Sequence, residues 1–179
     1  MRQDADAVLD AAHDADAIAA AVRGRVVPAI VLTHGHNDHI NAAVALQDAV
    51  DAPIYLHPDD TMLWHVVYPD REPDRALADR DVLRAGGAEL GVIHTPGHAP
   101  GCCCFHIVGA AADGSDLLFS GDTLFCGGPG ATGRSYSDYD TIVASIRSRL
   151  FALPDSTIVH TGHGDSTTIG AEAAALGRA

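Results

Sequence analysis

The sequence predicts a layered α/β fold. Short β-rich runs alternate with alanine-rich helical stretches along the chain, and glycine and proline cluster between them. In order, residues 7–10 read as the end of a strand and 14–22 as a helix. The apolar run PAIVLT at 28–33 has the length and composition of a buried strand. A helix over 41–50 follows, then a short strand over 53–56 and, after Pro58, a helix over 59–66. Strands are expected near 89–94, 102–108 and 116–120. Tyr139, Ile142, Val143, Ile146 and Leu150 recur at helical spacing within 138–150. A last strand over 157–160 and a helix over 170–176 close the pattern, and the richest glycine linker is CGGPGATG at 126–133. No repeat or long linker interrupts it, so residues 1–179 are expected to form a single domain.

The composition narrows the function. With 47% hydrophobic and 20% charged residues the chain can bury a substantial core. No apolar run reaches the ~18 residues of a membrane span, and the N-terminus lacks a basic-then-apolar leader. All 11 basic residues are arginine; against 24 acids they leave a net charge of -13. That charge argues against nucleic acid or a membrane as partner. Cys102, Cys103, Cys104 and Cys126 form neither a paired metal knuckle nor a disulfide framework. The first three are expected on a half-buried strand and Cys126 as a packed thiol, and four unpaired thiols fit a cytoplasmic protein.

Eleven histidines are the unusual feature. Three of them and one aspartate fall within six residues, His34-Gly35-His36-Asn37-Asp38-His39, directly after the PAIVLT strand. Alternating His34 and His36 can reach one metal ion, while Asp38 and His39 project differently and can reach another. Further candidates lie on loops after strands: His98 in TPGH, Asp122 in SGDT and His163 in TGHG. A glycine beside each permits the tight backbone such a loop needs.

Taken in this order, H-x-H-x-D-H, G-H, S-G-D-T and G-H-G resemble the metallo-β-lactamase-fold superfamily. SGDTLF, YDTIVASIRSRLFALP and HTGHGDSTTIGAE are most similar to its glyoxalase II-like branch, the hydroxyacylglutathione hydrolases, and the likeness covers roughly residues 6–173. The resemblance implies a four-layer αβ/βα sandwich and a dinuclear metal-dependent hydrolase. His34, His36 and His98 would hold the first of two divalent ions, Asp38, His39 and His163 the second, and Asp122 would bridge them. Nitrogen and carboxylate donors without thiolate suit zinc first, with iron or manganese as alternatives. A metal-bridging hydroxide would attack the carbonyl of a small acyl thioester, with Asp38 orienting it.

Rival activities on the same scaffold are a mononuclear iron persulfide dioxygenase and a lactonase or β-lactamase-like hydrolase. Arg134, in the glycine-rich loop, is the candidate anchor for an anionic substrate. Tyr136 and Tyr139 are candidates for the mouth of the site, although Tyr139 fits helix packing equally well. His57 and His65 are expected at the surface or in packing, His106 facing solvent, and His94 and His160 are candidates to orient a ligand. Glyoxalase II enzymes carry a C-terminal helical domain that grips glutathione; this chain ends soon after His163 and has no lysine, so another thiol carrier is equally open.

In that family two or three strands precede the one ending in an Asp-x-Gly-like turn, which here reads Asp10-Ala11-Ala12. The first sheet is therefore expected to lack its opening strands, as a shortened chain or as one whose edge a homodimer covers.

Overall fold

The computed structural model describes residues 5–177. Its first sheet consists of β1 (Ala5–Leu9), β2 (Val26–Val31), β3 (Ile54–Leu56) and β4 (Arg75–Ala76), all parallel and in chain order. Side chains alternate across β2: Ile30 and the following Leu32 turn to one face, Ala29 and Val31 to the other. Both faces are covered, which is why the run is apolar throughout. One cover is helical, from α1 (Ala15–Ala21), α2 (Asn37–Ile40), α3 (Ala43–Val50) and α4 (Thr61–Val67), through Ile18, Ile40, Leu46 and the fully buried Trp64.

The other cover is a second sheet, containing β5 (Val82–Ala85), β6 (Ala88–His94), β7 (Cys103–Ile107) and β8 (Leu117–Gly121) as an antiparallel run. After β8 a small hairpin, β9 (Leu124–Phe125) and β10 (Gly128–Pro129), leads to α5 (Tyr139–Ser145) and a continuing π-turn, Ile146–Leu150. Then β11 (Ile158–Thr161) joins β8 in parallel, β12 (Thr167–Thr168) adds the edge, and α6 (Ile169–Leu176) follows. Val31, Val92, Cys103 and Phe105 fill the space between the sheets. Cys104, Leu118, Ile142, Ile146, Leu150 and Ile169 pack the second sheet against α5, the π-turn and α6. The result is the four-layer αβ/βα sandwich.

Several expectations change. The helix near 41–50 begins at Ala43, preceded by the separate α2, and 138–150 splits where Phe151 N–H bonds to Ile146 O, five residues back. Tyr139 is exposed rather than packed. The strand near 102–108 is shorter, and Cys102, Cys103 and Cys104 are all fully buried because both sheet faces are covered. Burial pushes the Cys104 thiol up to about 11 and raises Cys102 and Cys103 as well, so none is a ready thiolate. Cys126 is exposed at the hairpin turn, not packed. Among the described residues β1 is the edge of the first sheet; the chain ahead of it, where opening strands were expected to be missing, lies outside them. No helix among the described residues is long and apolar enough to cross a membrane.

Candidate metal centre

All the candidate ligands lie on loops, or on the turn of helix that follows one, at one end of the sandwich. After β2 the backbone stays extended through His36 (φ -71°, ψ 147°), then closes into the single turn of α2, which carries Asp38 and His39. His98 follows β6, Asp122 follows β8 and His163 follows β11. The second-sheet loops are fastened together by a buried hydrogen bond between the hydroxyls of Thr95 and Thr123, 2.8 Å. Gly162 is required by contact: a Cβ there would lie 2.2 Å from Asp122 Oδ1.

The seven side chains converge as two overlapping groups. Donor atoms of His34, His36 and His98 lie within 4.8 Å of one another, as do those of Asp38, His39 and His163. His34, His39 and Asp122 form a third such group, linking the other two. His36 Nδ1 is 2.9 Å from His98 Nε2, and His39 Nε2 is 3.1 Å from His163 Nε2. Asp122 faces both groups, with Oδ2 3.6 Å from His98 Nε2 and Oδ1 3.3 Å from His39 Nε2.

Nitrogen atoms facing nitrogen atoms at such distances repel when protonated and exchange at most one proton when neutral; a shared cation satisfies them all. Two buried atoms make the point directly: His34 Nε2 and Asp122 Oδ1 have no hydrogen-bond partner. An unpartnered buried polar atom costs ~1–3 kcal/mol, so both are suited to hold a metal ion. Burial, then the neighbouring histidines His39, His36 and His98, depress His34 well below its ordinary 6.5, and burial with His98 lowers His36. These imidazoles are neutral and ready to ligate. Burial also opposes protonation of His39, but the carboxylates of Asp10 and Asp122 outweigh it and raise its pKa to about 10. Burial opposes charge on Asp122 too, yet His39, His98 and His163 together hold its pKa below 3.8. His39 thus keeps a proton where the site accepts positive charge.

Residues outside the motif set the orientation. Asp10, in a left-handed backbone conformation (φ 55°), accepts from Thr33 N–H at 2.7 Å and Thr33 Oγ1 at 2.9 Å, and meets His39 Nδ1 at 2.7 Å. Thr33 Oγ1 also lies 3.0 Å from His34 Nδ1, and His98 Nδ1 donates to Ala131 O at 2.8 Å. Asp10 had been visible only as a turn residue. Arg134 stands exposed on the loop that supplies Ala131, its N–H bonded to Ser137 Oγ. Exposed Tyr136 and Tyr139 flank that loop.

The remaining histidines separate. His57, Asp59 and His94 also bring donors within 4.8 Å, but the two rings stack at 4.0 Å with planes 11° apart. A metal lies in the plane of each imidazole that binds it, and planes so nearly parallel do not meet at one ion. His94 instead bonds Pro100 O at 2.8 Å, and His160 bonds Ser166 Oγ rather than a ligand. His106 does not face solvent; it pairs with Asp116 at 2.9 Å. His65 pairs with Glu72.

Residues 2–163 match the family model described as the metallo-beta-lactamase superfamily. The chain is 35% identical over 156 residues to a hydroxyacylglutathione hydrolase, GloC, of Haemophilus influenzae, covering 80% of this chain and 71% of that one. Among solved structures it is similar to the BLEG-1 B3 metallo-beta-lactamase, with TM-score 0.82 and 32% identity over 94% of this chain and 85% of that one. It is also similar to TTHA1623 in a di-iron-bound form, with TM-score 0.78 and 35% identity over 92% and 85%.

Proposed function

We propose that this chain, which belongs to the metallo-beta-lactamase superfamily, is a dinuclear hydrolase of small acyl thioesters. The observation that carries the reading is the pair of donor groups meeting at Asp122, with His34 Nε2 and Asp122 Oδ1 buried between them and neither in a hydrogen bond. His34, His36 and His98 would hold one divalent ion, Asp38, His39 and His163 the other, with Asp122 shared. Two such ions supply a water of lowered pKa and an electrophile for the carbonyl oxygen. Zinc fits the donors, and the di-iron form of a relative makes iron the alternative.

The protein's own groups do the rest. Asp38 and His163 are exposed at the open side of the centre, 3.4 Å apart, where Asp38 Oδ2 can accept a hydrogen bond from the attacking water and orient it. Asp10 and Thr33 keep His39 and His34 in place, and Ala131 O fixes the tautomer of His98. Arg134, on the loop beside His98, would meet an anionic group of the substrate. The similarity to GloC favours a thioester over a β-lactam, although BLEG-1 shares the fold. Metal-loaded protein assayed with S-lactoylglutathione, simple acyl thioesters, a lactone and a β-lactam should turn over a thioester fastest. Turnover of the β-lactam or lactone alone would replace this reading.

A further inference from the structure

Asp60 has no exposed surface and belongs to neither donor group. It stands at the N-terminal cap position of α4, yet its side chain makes no cap hydrogen bond. A carboxylate there ordinarily caps the helix, for about 1 kcal/mol. Here it turns away and binds two loops instead. Oδ2 accepts the N–H of Gly35 at 2.8 Å and Oδ1 accepts the N–H of Gly101 at 2.6 Å. Gly35 separates His34 from His36, and Gly101 closes the loop that carries His98.

Both glycines are pressed against this residue. A Cβ at Gly101 would lie 2.7 Å from Asp60 Cγ, and one at Gly35 would lie 3.0 Å from Asp60 O. The two loops reach each other at the imidazoles, His36 Nδ1 to His98 Nε2 at 2.9 Å. We propose that Asp60 is a positioning residue for the three-histidine ion: by clamping the Gly35 and Gly101 N–H groups it sets the separation of His34 and His36 from His98. A short bond at each end, 2.8 Å and 2.6 Å, ties both loops to one buried side chain, and ligand positions must hold to tenths of an ångström to bind tightly. The inference rests on the dinuclear reading. Its consequence is selective, because the other ion's His39 is held by Asp10.

The test is Zn2+ titration of the apoprotein against a chelating dye, with the visible spectrum of the Co2+-loaded protein as second readout. Wild type should bind two ions. Asp60→Asn keeps the volume but turns an NH2 toward one N–H donor; it should weaken one ion about ten- to a hundredfold and alter the Co2+ spectrum. Asp10→Asn should weaken chiefly the ion His39 would hold, with a smaller loss at the three-histidine ion relayed to His34 through Thr33, so the pattern of losses should be the reverse of that in Asp60→Asn. Gly101→Ala, pressing on the same carboxylate from the far side, should reproduce the Asp60→Asn loss and keeps the test open if Asp60→Asn does not fold. Trp64→Phe on the same helix gives up the bond from Nε1 to Arg71 O and should lower the melting temperature with both affinities intact. Unchanged affinities in a folded clamp variant, or equal loss of both ions, would overturn the proposal. A wild type that binds one ion would overturn the dinuclear reading instead, and the clamp would then be judged on that ion.

Discussion

The two donor groups differ in depth. His34 and His98 are buried and His36 half-buried, whereas Asp38 and His163 lie at the surface with about half of each side chain exposed. The inner group is three imidazole nitrogens, two of them buried; the outer joins the buried His39 to an exposed carboxylate and an exposed imidazole and opens to water. On the dinuclear reading, depth would fix the geometry of the inner ion and leave the outer one room to exchange ligands, a division suited to a structural anchor beside a reactive partner. The inner ion should therefore be the tighter.

The strongest expected effect follows from that ordering. His36→Ala should remove the inner ion and lower turnover by more than about a hundredfold, since even groups that merely support a ligand are worth that much. His163→Ala should leave one ion in place by elemental analysis. Equal loss of both ions in His163→Ala would erase the distinction.

Gly162→Ala tests the residue the two groups share. Its Cβ would force Asp122 Oδ1 from a 2.2 Å approach, and a displacement near 1 Å costs about a hundredfold in rate. Affinity for both ions should fall together; selective loss of one would place Asp122 on one side only.

Acid and alkali should separate the groups in the metal-free protein. The depressed pKa values of His34 and His36 contribute stability that is complete above 6.5 and lost as pH falls below it. His39, raised to about 10, contributes stability that is complete below 6.5 and lost as pH rises toward 10. Melting temperature should thus fall on both sides of neutrality in chelator. Bound metal would replace the His39 proton, so the loaded protein should keep its stability up to pH 9. Parallel pH profiles with and without chelator would contradict this. The smallest effect is expected of Arg134→Gln: a several-fold rise in KM for an anionic thioester, as an exposed ion pair allows, with both ions retained.

How much of this could be read from the sequence depends on distance along the chain. His34 through His39 are local, flanked by an apolar strand, and their pattern stands out without a structure. Asp10 and Asp60 do not, because their partners are backbone N–H groups or side chains 23 to 41 residues away. An isolated aspartate before a helix looks like a cap, and Asp60 occupies that position without performing that role. The layers were legible from alternating strand and helix composition, but β4 and β12, at two residues each, are too short to leave a period. Three buried cysteines in a row were misread as half-buried because the second cover of β7 comes from helices far along the chain.

The pairing of His39 with His163 spans 124 residues. During synthesis the ribosome therefore releases four donors, His34, His36, Asp38 and His39, well before the last one exists. On the dinuclear reading, a cation taken up on that short segment alone would have to enter a new coordination shell as the final strand docks. Loop closure over so long a stretch is slow relative to local collapse. The order in which metal and chain come together would then be part of how the protein matures, and refolding in the presence or absence of Zn2+ should follow different kinetics.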